Sequence, residues 1–436
     1  MPRLDPQLEA LLEQDKLHLE NTQIPMVTVS ATFREDLKGW YGLAEDDNIP
    51  DVVLSRAHFS MAMGVAIEAW GKKVNPDKAW LVDPTNYVSS RDWKSLQLTQ
   101  SVGRLLARQP LLKMVKDVID RFGRQKLPIL KSITPPIVHL FERVDKPVLS
   151  LHIAAGNILV EHGKHVIQVI TDPHVRDDYL TNADNSRITF CVFDDRTKLE
   201  FLEKAAVRGL KVDPDKVIVT GPPLDPRVRE QRFHKSAWKG HRPLRLCITT
   251  GGLGTNKDEI HRILEQMLPE LRRQHPLYQI LVYAGTQTDI AKMSRDLAHQ
   301  HRVKIGGQSD ARALFRILYH PQIVDANELL IEYGFPWADG FISKPSGDMA
   351  YDAAAAGCFL LTLAEWGEWE HNIREIFVQK GIAQKAETDH IVAQLSVLTQ
   401  RIDDSNWVEN AQCAALEIDE LFLNGSQKIL ASVLER

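Results

Sequence analysis

The chain has 436 residues, too many for one compact core and enough for two domains of roughly 200 residues each. Hydrophobic residues at 44% and charged residues at 25% are those of an ordinary globular protein, and a net charge of -5 argues against a dedicated nucleic-acid binder. Four scattered cysteines, Cys191, Cys247, Cys358 and Cys413, show no paired or metal-ligand spacing and read as buried thiols of a reducing compartment. The first residues lack the basic-then-apolar layout of a signal peptide, and no run approaches the ~18 apolar residues of a membrane span. The expectation is a cytoplasmic protein whose membrane contact, where there is any, is peripheral.

Residues 1–48 read as an N-terminal extension: a polar amphipathic helix, an apolar strand over Ile24 to Ser30 and an acidic, aromatic loop. DVVL at 51–54 is predicted as a buried strand that leads into a helix from about Phe59 to Trp70, the start of a βαβ unit. His58 sits at that junction, where open α/β sheets place ligands, although a lone histidine is more often a structural residue. AWLVD at 79–83 is the next strand. From Arg104 to Lys131 basic residues alternate with large apolar ones, which suits an interfacial helix on an anionic membrane or a helix with a solvated basic side.

Further strands are predicted at Val148 to Leu151, Val166 to Thr171, Ile188 to Val192 and Val217 to Pro223. All are short, β-branched and unalternating, as in a parallel sheet covered on both faces. TDPH at 171–174 places Asp172 and His174 just past a strand end, in an acceptor-side position or as loop caps. The charged, Pro-containing run 224–242 reads as a linker, which divides a first domain at 49–235 from a second at 243–436, with C-terminal helices able to cross back to the first.

The second half opens with a strand, Leu244 to Thr249, then TGGLGT at 250–255, then a helix from near Asp258. Gly251, Gly252 and Gly254 let the backbone approach an anion closely, and the helix end supplies a positive dipole. More strands are predicted at 279–283, 303–305 and 317–319. FISKPSGDMAYDAAAAGCFLLTLAEWGEWEHN, residues 341–372, then gives a strand to Ser343, a turn over Lys344 to Gly347, a small-residue helix over Met349 to Ala356, a stop at Gly357 and an apolar strand. Ser346 and Gly347 present backbone N–H groups to a phosphate, and Asp352 leans back toward the hydroxyls of an adjoining sugar or answers the helix dipole. The tail from Asp389 is helical and carries no catalytic signature.

Together these motifs resemble glycosyltransferase family 28, the group of the peptidoglycan UDP-N-acetylglucosamine transferase and the monogalactosyldiacylglycerol synthases. ISKPSGDMAYDAAAAG is similar to that family's basic, glycine, acidic-AAAG motif, WGEWEHN to its GQEEGN segment, and VITDPH with DKVIVTGPPLDP to the first-domain pattern of the galactolipid enzymes. The resemblance implies an α/β glycosyltransferase B fold, two Rossmann-like domains facing across a cleft, with 49–235 as the acceptor domain and 243–436 as the donor domain. It places Gly252, Gly254, Ser346 and Gly347 by the diphosphate, Lys344 at a basic position, Asp352 at the ribose, the loop around Val324 and Asp325 at the uracil, and Glu368, Trp369 and Asn372 at the donor sugar. His58 falls at the histidine that ends a glycine-rich loop and would be the catalytic base, with Ser55, Arg56 and Ala57 standing where the family has glycines. The implied activity is inverting transfer of a hexose from a UDP-sugar to a hydroxyl, on a lipid by preference. The alternatives are a soluble acceptor, a UDP-sugar 2-epimerase of the same fold, or a non-catalytic nucleotide-binding relative. No acidic metal-binding pair sits at a convincing site, so neither a metal nor a separate cofactor is expected.

Overall fold

The structure, a computed structural model, describes residues 6–32, 51–71, 73–88, 101 and 128–435. The described residues divide into two compact units: the first takes those up to 32, from 52 to 226 and from 420 onward, and the second takes Asp51 and 227–419.

The first unit is built on six parallel strands, β1 Ile24–Val27, β2 Ala79–Val82, β3 Val148–Ser150, β4 Val166–Val169, β5 Ile188–Val192 and β6 Val217–Val219. Their order across the sheet is β2-β1-β3-β4-β5-β6. Its helices are α1 Pro6–Asn21, α2 Arg56–Trp70, α3 Pro128–Leu140, α4 Ile153–Glu161 and α5 Asp195–Val207, with α6 Pro226–Gln231 carrying the chain onward. Strands β1 to β5 are buried at every position, because a parallel sheet needs crossover helices and these cover both faces. Val27, Val82, Ile133, Phe190 and Phe201 belong to the core they enclose.

The second unit repeats the plan with β7 Leu244–Thr249, β8 Tyr278–Gly285, β9 Phe315–Tyr319, β10 Gly340–Ser343, β11 Phe359–Thr362 and β12 Ala383–Lys385, in the order β12-β11-β10-β7-β8-β9. Between and after them run α7 Lys257–Glu270, α8 Thr288–Gln300, α9 Ile323–Tyr333, α10 Met349–Ala355, α11 Glu368–Gln379, α12 Ile391–Thr399 and α13 Trp407–Leu416. The chain lays β8 and β9 on one side of β7, then returns to its other side for β10, β11 and β12. Loops leaving β7 and β10 therefore diverge, and the crevice between them is where sheets of this kind bind ligands.

The α/β architecture of two parallel sheets is the one predicted, while several elements differ in detail. Ile24 to Val27, read as part of an extension, lie inside the first sheet between β2 and β3. Asp51 to Leu54 do not form a strand: Val53 makes one bridge to Ala31, and Asp51 turns its N–H to Pro321 O at 3.4 Å and its carboxylate to Ile323 N–H at 2.8 Å. Residues 303–305 likewise reduce to one bridge, Ile305 to Phe315. The helix expected from Phe59 begins at Arg56, because Ser55 Oγ caps it by accepting the His58 N–H at 3.3 Å. Arg104 to Lys126 of the basic stretch lie outside the described residues, and Lys131 is on α3. No helix among the described residues is long and apolar enough to cross a membrane.

The last helix, α14 Gly425–Leu434, packs in the first unit against the turn after β6. Ser426 Oγ accepts the Leu224 N–H at 2.9 Å and donates to Leu224 O at 2.7 Å. A Cβ on Gly425 would lie 2.0 Å from Pro222 O, so backbone meets backbone there. Gly425→Ala is expected to cost about 1–3 kcal/mol, read as a lower denaturant midpoint at unchanged slope; an unaltered midpoint would show that α14 contributes nothing to the fold.

Asp15 on α1 accepts the Trp80 Nε1–H at 3.1 Å and the Tyr87 hydroxyl, and burial, outweighing both bonds, pushes its carboxyl up to about 6. Between the ordinary value of 3.8 and about 6 the native state holds the extra proton, so native stability falls as pH rises through that window. Asp15→Asn should flatten this slope and lift the thermal midpoint at pH 7 while leaving it near wild type at pH 4; a difference independent of pH would contradict the assignment.

Candidate functional site

In the second unit the loop after β7 closes on itself. Gly254 N–H donates to Gly251 O at 2.8 Å, Gly254 holds φ at 68°, which favours glycine, and Thr250 Oγ1 donates to Thr255 O at 3.1 Å. Gln287, buried at the start of α8, donates from Nε2 to Gly252 O at 2.8 Å and fixes the loop from the side. A Cβ at Gly251 would stand 2.7 Å from Thr255 Oγ1 and 3.4 Å from Lys344 Cε, so the glycine leaves open a space that a hydroxyl and a lysine border. Thr255 is 5% exposed, and its Oγ1 has no hydrogen-bond partner among the described residues. A buried hydroxyl left unsatisfied beside a glycine loop asks for a ligand oxygen.

Lys344 arrives from the neighbouring strand. β10 pairs with β7, and at their carboxyl ends Thr249 Oγ1 donates to Ser343 Oγ at 2.6 Å, which brings the residues after both strands together. The Lys344 ammonium lies 2.5 Å from Glu370 Oε1. Glu370 is buried in the first turn of α11, and its other oxygen accepts the Trp366 N–H at 2.6 Å. The Ser346 hydroxyl donates to Asp348 at 2.6 Å, and Ser346 N–H donates to Lys344 O at 2.8 Å. Ser346 and Gly347 thus form a turn before α10 and do not lie in its first turn.

The remaining donor-side candidates are distributed as follows. Asp352 is buried on α10. Asn372 is buried on α11, Glu368 opens that helix in an exposed position, and the Trp369 ring covers Gly367, where a Cβ would stand 2.3 Å from a ring carbon. Val324 lies buried in the first turn of α9, a helix where a loop was expected, and α9 follows β9, two strands from β7. The structure therefore brings Gly251 and Lys344 together. Thr255, Gln287 and Glu370 were not among the predicted residues. Thr255 directly follows the glycines and Glu370 lies inside WGEWEHN, so both stood in motifs already singled out; Gln287 carried no local signal.

In the first unit His58 is the third residue of α2, not a strand-end residue. Its Nε2 is 3.0 Å from Thr171 Oγ1, and its ring meets that of His152 edge to face at 4.9 Å between centroids. His152 caps α4, its Nδ1 accepting the Ala154 N–H at 3.2 Å. The Tyr179 hydroxyl accepts the Thr171 N–H at 3.4 Å and an Arg176 N–H at 3.5 Å. Burial alone would lower the Arg176 guanidinium, but Tyr179, Asp172 and Asp178 more than offset it and raise it. His174 pairs with Glu200 at 3.2 Å; burial works to raise that carboxyl, yet His174 and Lys204 bring it down to about 2. His174 thus packs as a structural partner of α5. Among the described residues no group of three or more His, Cys, Asp and Glu is arranged to hold a metal ion.

Solved structures of similar fold include a UDP-GlcNAc 2-epimerase from Neisseria meningitidis, with a TM-score of 0.51, 13% identity, and 95% of this chain and 100% of that one covered. An α,α-trehalose-phosphate synthase (UDP-forming) from Burkholderia vietnamiensis has a TM-score of 0.50 and 14% identity, covering 94% of this chain and 99% of that one. A Listeria monocytogenes protein named as a candidate UDP-N-acetylglucosamine 2-epimerase has a TM-score of 0.54 and 10% identity, covering 94% and 96%. No protein-family model and no curated protein sequence matches the chain. These likenesses establish the glycosyltransferase B fold over nearly the whole chain and do not single out family 28 within it.

Proposed function

We propose that this chain is a UDP-sugar-dependent glycosyltransferase of the family 28 kind, which moves a hexose with inversion to a hydroxyl of an acceptor, by preference a lipid. The observation that carries the reading is the buried, unpartnered Thr255 hydroxyl in a glycine loop at the crevice between β7 and β10, with Lys344 beside it. Fold likeness to proteins named for UDP-sugar chemistry supports it.

In this reading the N–H groups of Gly251, Gly252 and Gly347, with Lys344, receive the charge of the departing diphosphate, while the Gly254 and Ser346 N–H groups hold the two loops in shape, and no metal takes part. Asp352 takes the ribose hydroxyls, the backbone around Val324 takes the uracil, and Glu368, Trp369 and Asn372 border the sugar. His58, oriented by Thr171, accepts the acceptor proton as that oxygen attacks the anomeric carbon opposite the leaving group. A lipid acceptor and peripheral contact with an anionic membrane rest on the family resemblance and on the basic, apolar stretch 104–131.

A second reading, a UDP-sugar 2-epimerase, is favoured by the two fold neighbours that carry that name. Release of UDP from a panel of UDP-sugars, with and without a crude lipid extract and beside a direct UDP titration, separates the readings. Release of UDP that lipid-free controls lack and that His58→Ala abolishes is the expected result. Thr255→Val should weaken UDP binding about 10- to 150-fold, the loss of one hydrogen bond to a charged oxygen. Turnover of a UDP-sugar into its epimer without acceptor would establish the second reading, and UDP binding without consumption of any donor would reduce the chain to a nucleotide-binding relative.

A further inference from the structure

The Lys344 and Glu370 pair is placed unusually for a phosphate site. Glu370 has 1% of its side chain exposed and Lys344 has 15%, and the carboxylate is held from both sides, by the ammonium at 2.5 Å and by the Trp366 N–H at 2.6 Å. The same ammonium lies 3.8 Å from the point where a Cβ on Gly251 would sit, and Thr255 Oγ1 lies 2.7 Å from that point. An anion seated against the Thr255 hydroxyl therefore meets a cation whose charge a buried carboxylate already balances.

We propose that Glu370 is a specificity residue beside Lys344: its charge makes the site prefer a sugar-linked nucleoside diphosphate to the free nucleoside diphosphate left after the sugar departs. The inference rests on the nucleotide-sugar reading above. A diphosphate esterified at both ends carries two negative charges. Loss of the sugar exposes a terminal phosphate whose further ionisation, with a pKa near 6, adds about one more at pH 7. That added charge faces Glu370 in a site partly shielded from water, where like charges repel more strongly than in bulk solvent. Lys344 without its carboxylate would hold the free diphosphate tightly; with it, the donor is retained and the spent nucleotide leaves.

The test is a calorimetric titration of UDP and of UDP-GlcNAc or UDP-glucose at pH 7.5 and low salt, on wild type, Glu370→Gln, Glu370→Asp, Lys344→Met and Lys344→Met/Glu370→Gln. Glutamine keeps an acceptor for the Trp366 N–H and removes only the charge. Glu370→Gln should bind UDP about tenfold more tightly and the UDP-sugar by clearly less, while Glu370→Asp, which keeps the charge, should retain the wild-type preference. A merely structural role would instead weaken both ligands equally in the Gln and Asp variants. Wild-type binding with no tightening of UDP in a folded Glu370→Gln overturns the proposal. Where that variant does not fold, the charge-free Lys344→Met/Glu370→Gln pair is compared with Lys344→Met, and it must bind UDP at least tenfold more tightly; equal affinities overturn the proposal. Failure of wild type to bind either ligand removes the nucleotide-sugar reading itself, and this inference with it.

Discussion

The parallel pairing of β7 with β10 is the constraint on which the donor-side site depends. These strands are almost a hundred residues apart in the chain, yet Leu246, Cys247 and Ile248 stand in register with Gly340, Phe341 and Ile342. The register is pinned at both ends. At the amino end Asp339 accepts the Arg245 N–H at 2.9 Å and takes a bidentate contact from Arg242 at 2.5 and 2.7 Å. At the carboxyl end the Thr249 hydroxyl meets Ser343. A slip of one residue would turn every side chain of the strand to the other face and carry Lys344 away from Gly251.

Given that register, the chemistry of the crevice follows from what each loop leaves unsatisfied. The β7 loop uses its own carbonyls and Gln287 to hold its shape, and leaves the Thr255 hydroxyl, like the Asn256 Oδ1 that follows it, without a hydrogen-bond partner among the described residues. The β10 loop uses the Ser346 hydroxyl on Asp348 and the Ser346 N–H on Lys344 O, so both donors of that residue serve the turn itself. A half-buried lysine alone would carry a desolvation cost, and Glu370 offsets it. Resting stability and ligand preference thus draw on the same ion pair.

How legible this was from sequence varied with how local each signal is. β5 and β7 match their predicted limits to the residue, because a buried parallel strand is an apolar run closed by turn residues. β1 was read as an extension because nothing within Ile24 to Val27 reveals that β2 and β3 flank it. β12 went unseen since Ala383 to Lys385 is an edge strand, polar and half exposed. Around α11 the resemblance pointed to Glu368, and the structure buries Glu370 instead. Two residues along a helix turn the side chain by about 200°, so one of the two must face away from the core. A motif match fixes the segment, and the helix phase decides which carboxylate reaches Lys344.

The same phase argument separates the two histidines of the first unit. His58 lies in the first turn of α2 against Thr171, and His152 lies one residue before α4 against the Ala154 N–H. His152 cannot take a proton at Nδ1 without surrendering that cap, and its other nitrogen then carries the proton of the neutral ring. That ring meets the His58 ring at 4.9 Å between centroids, and His58 Nε2 lies 3.0 Å from Thr171 Oγ1, so the end of β4 and the starts of α2 and α4 converge on this corner of the first unit.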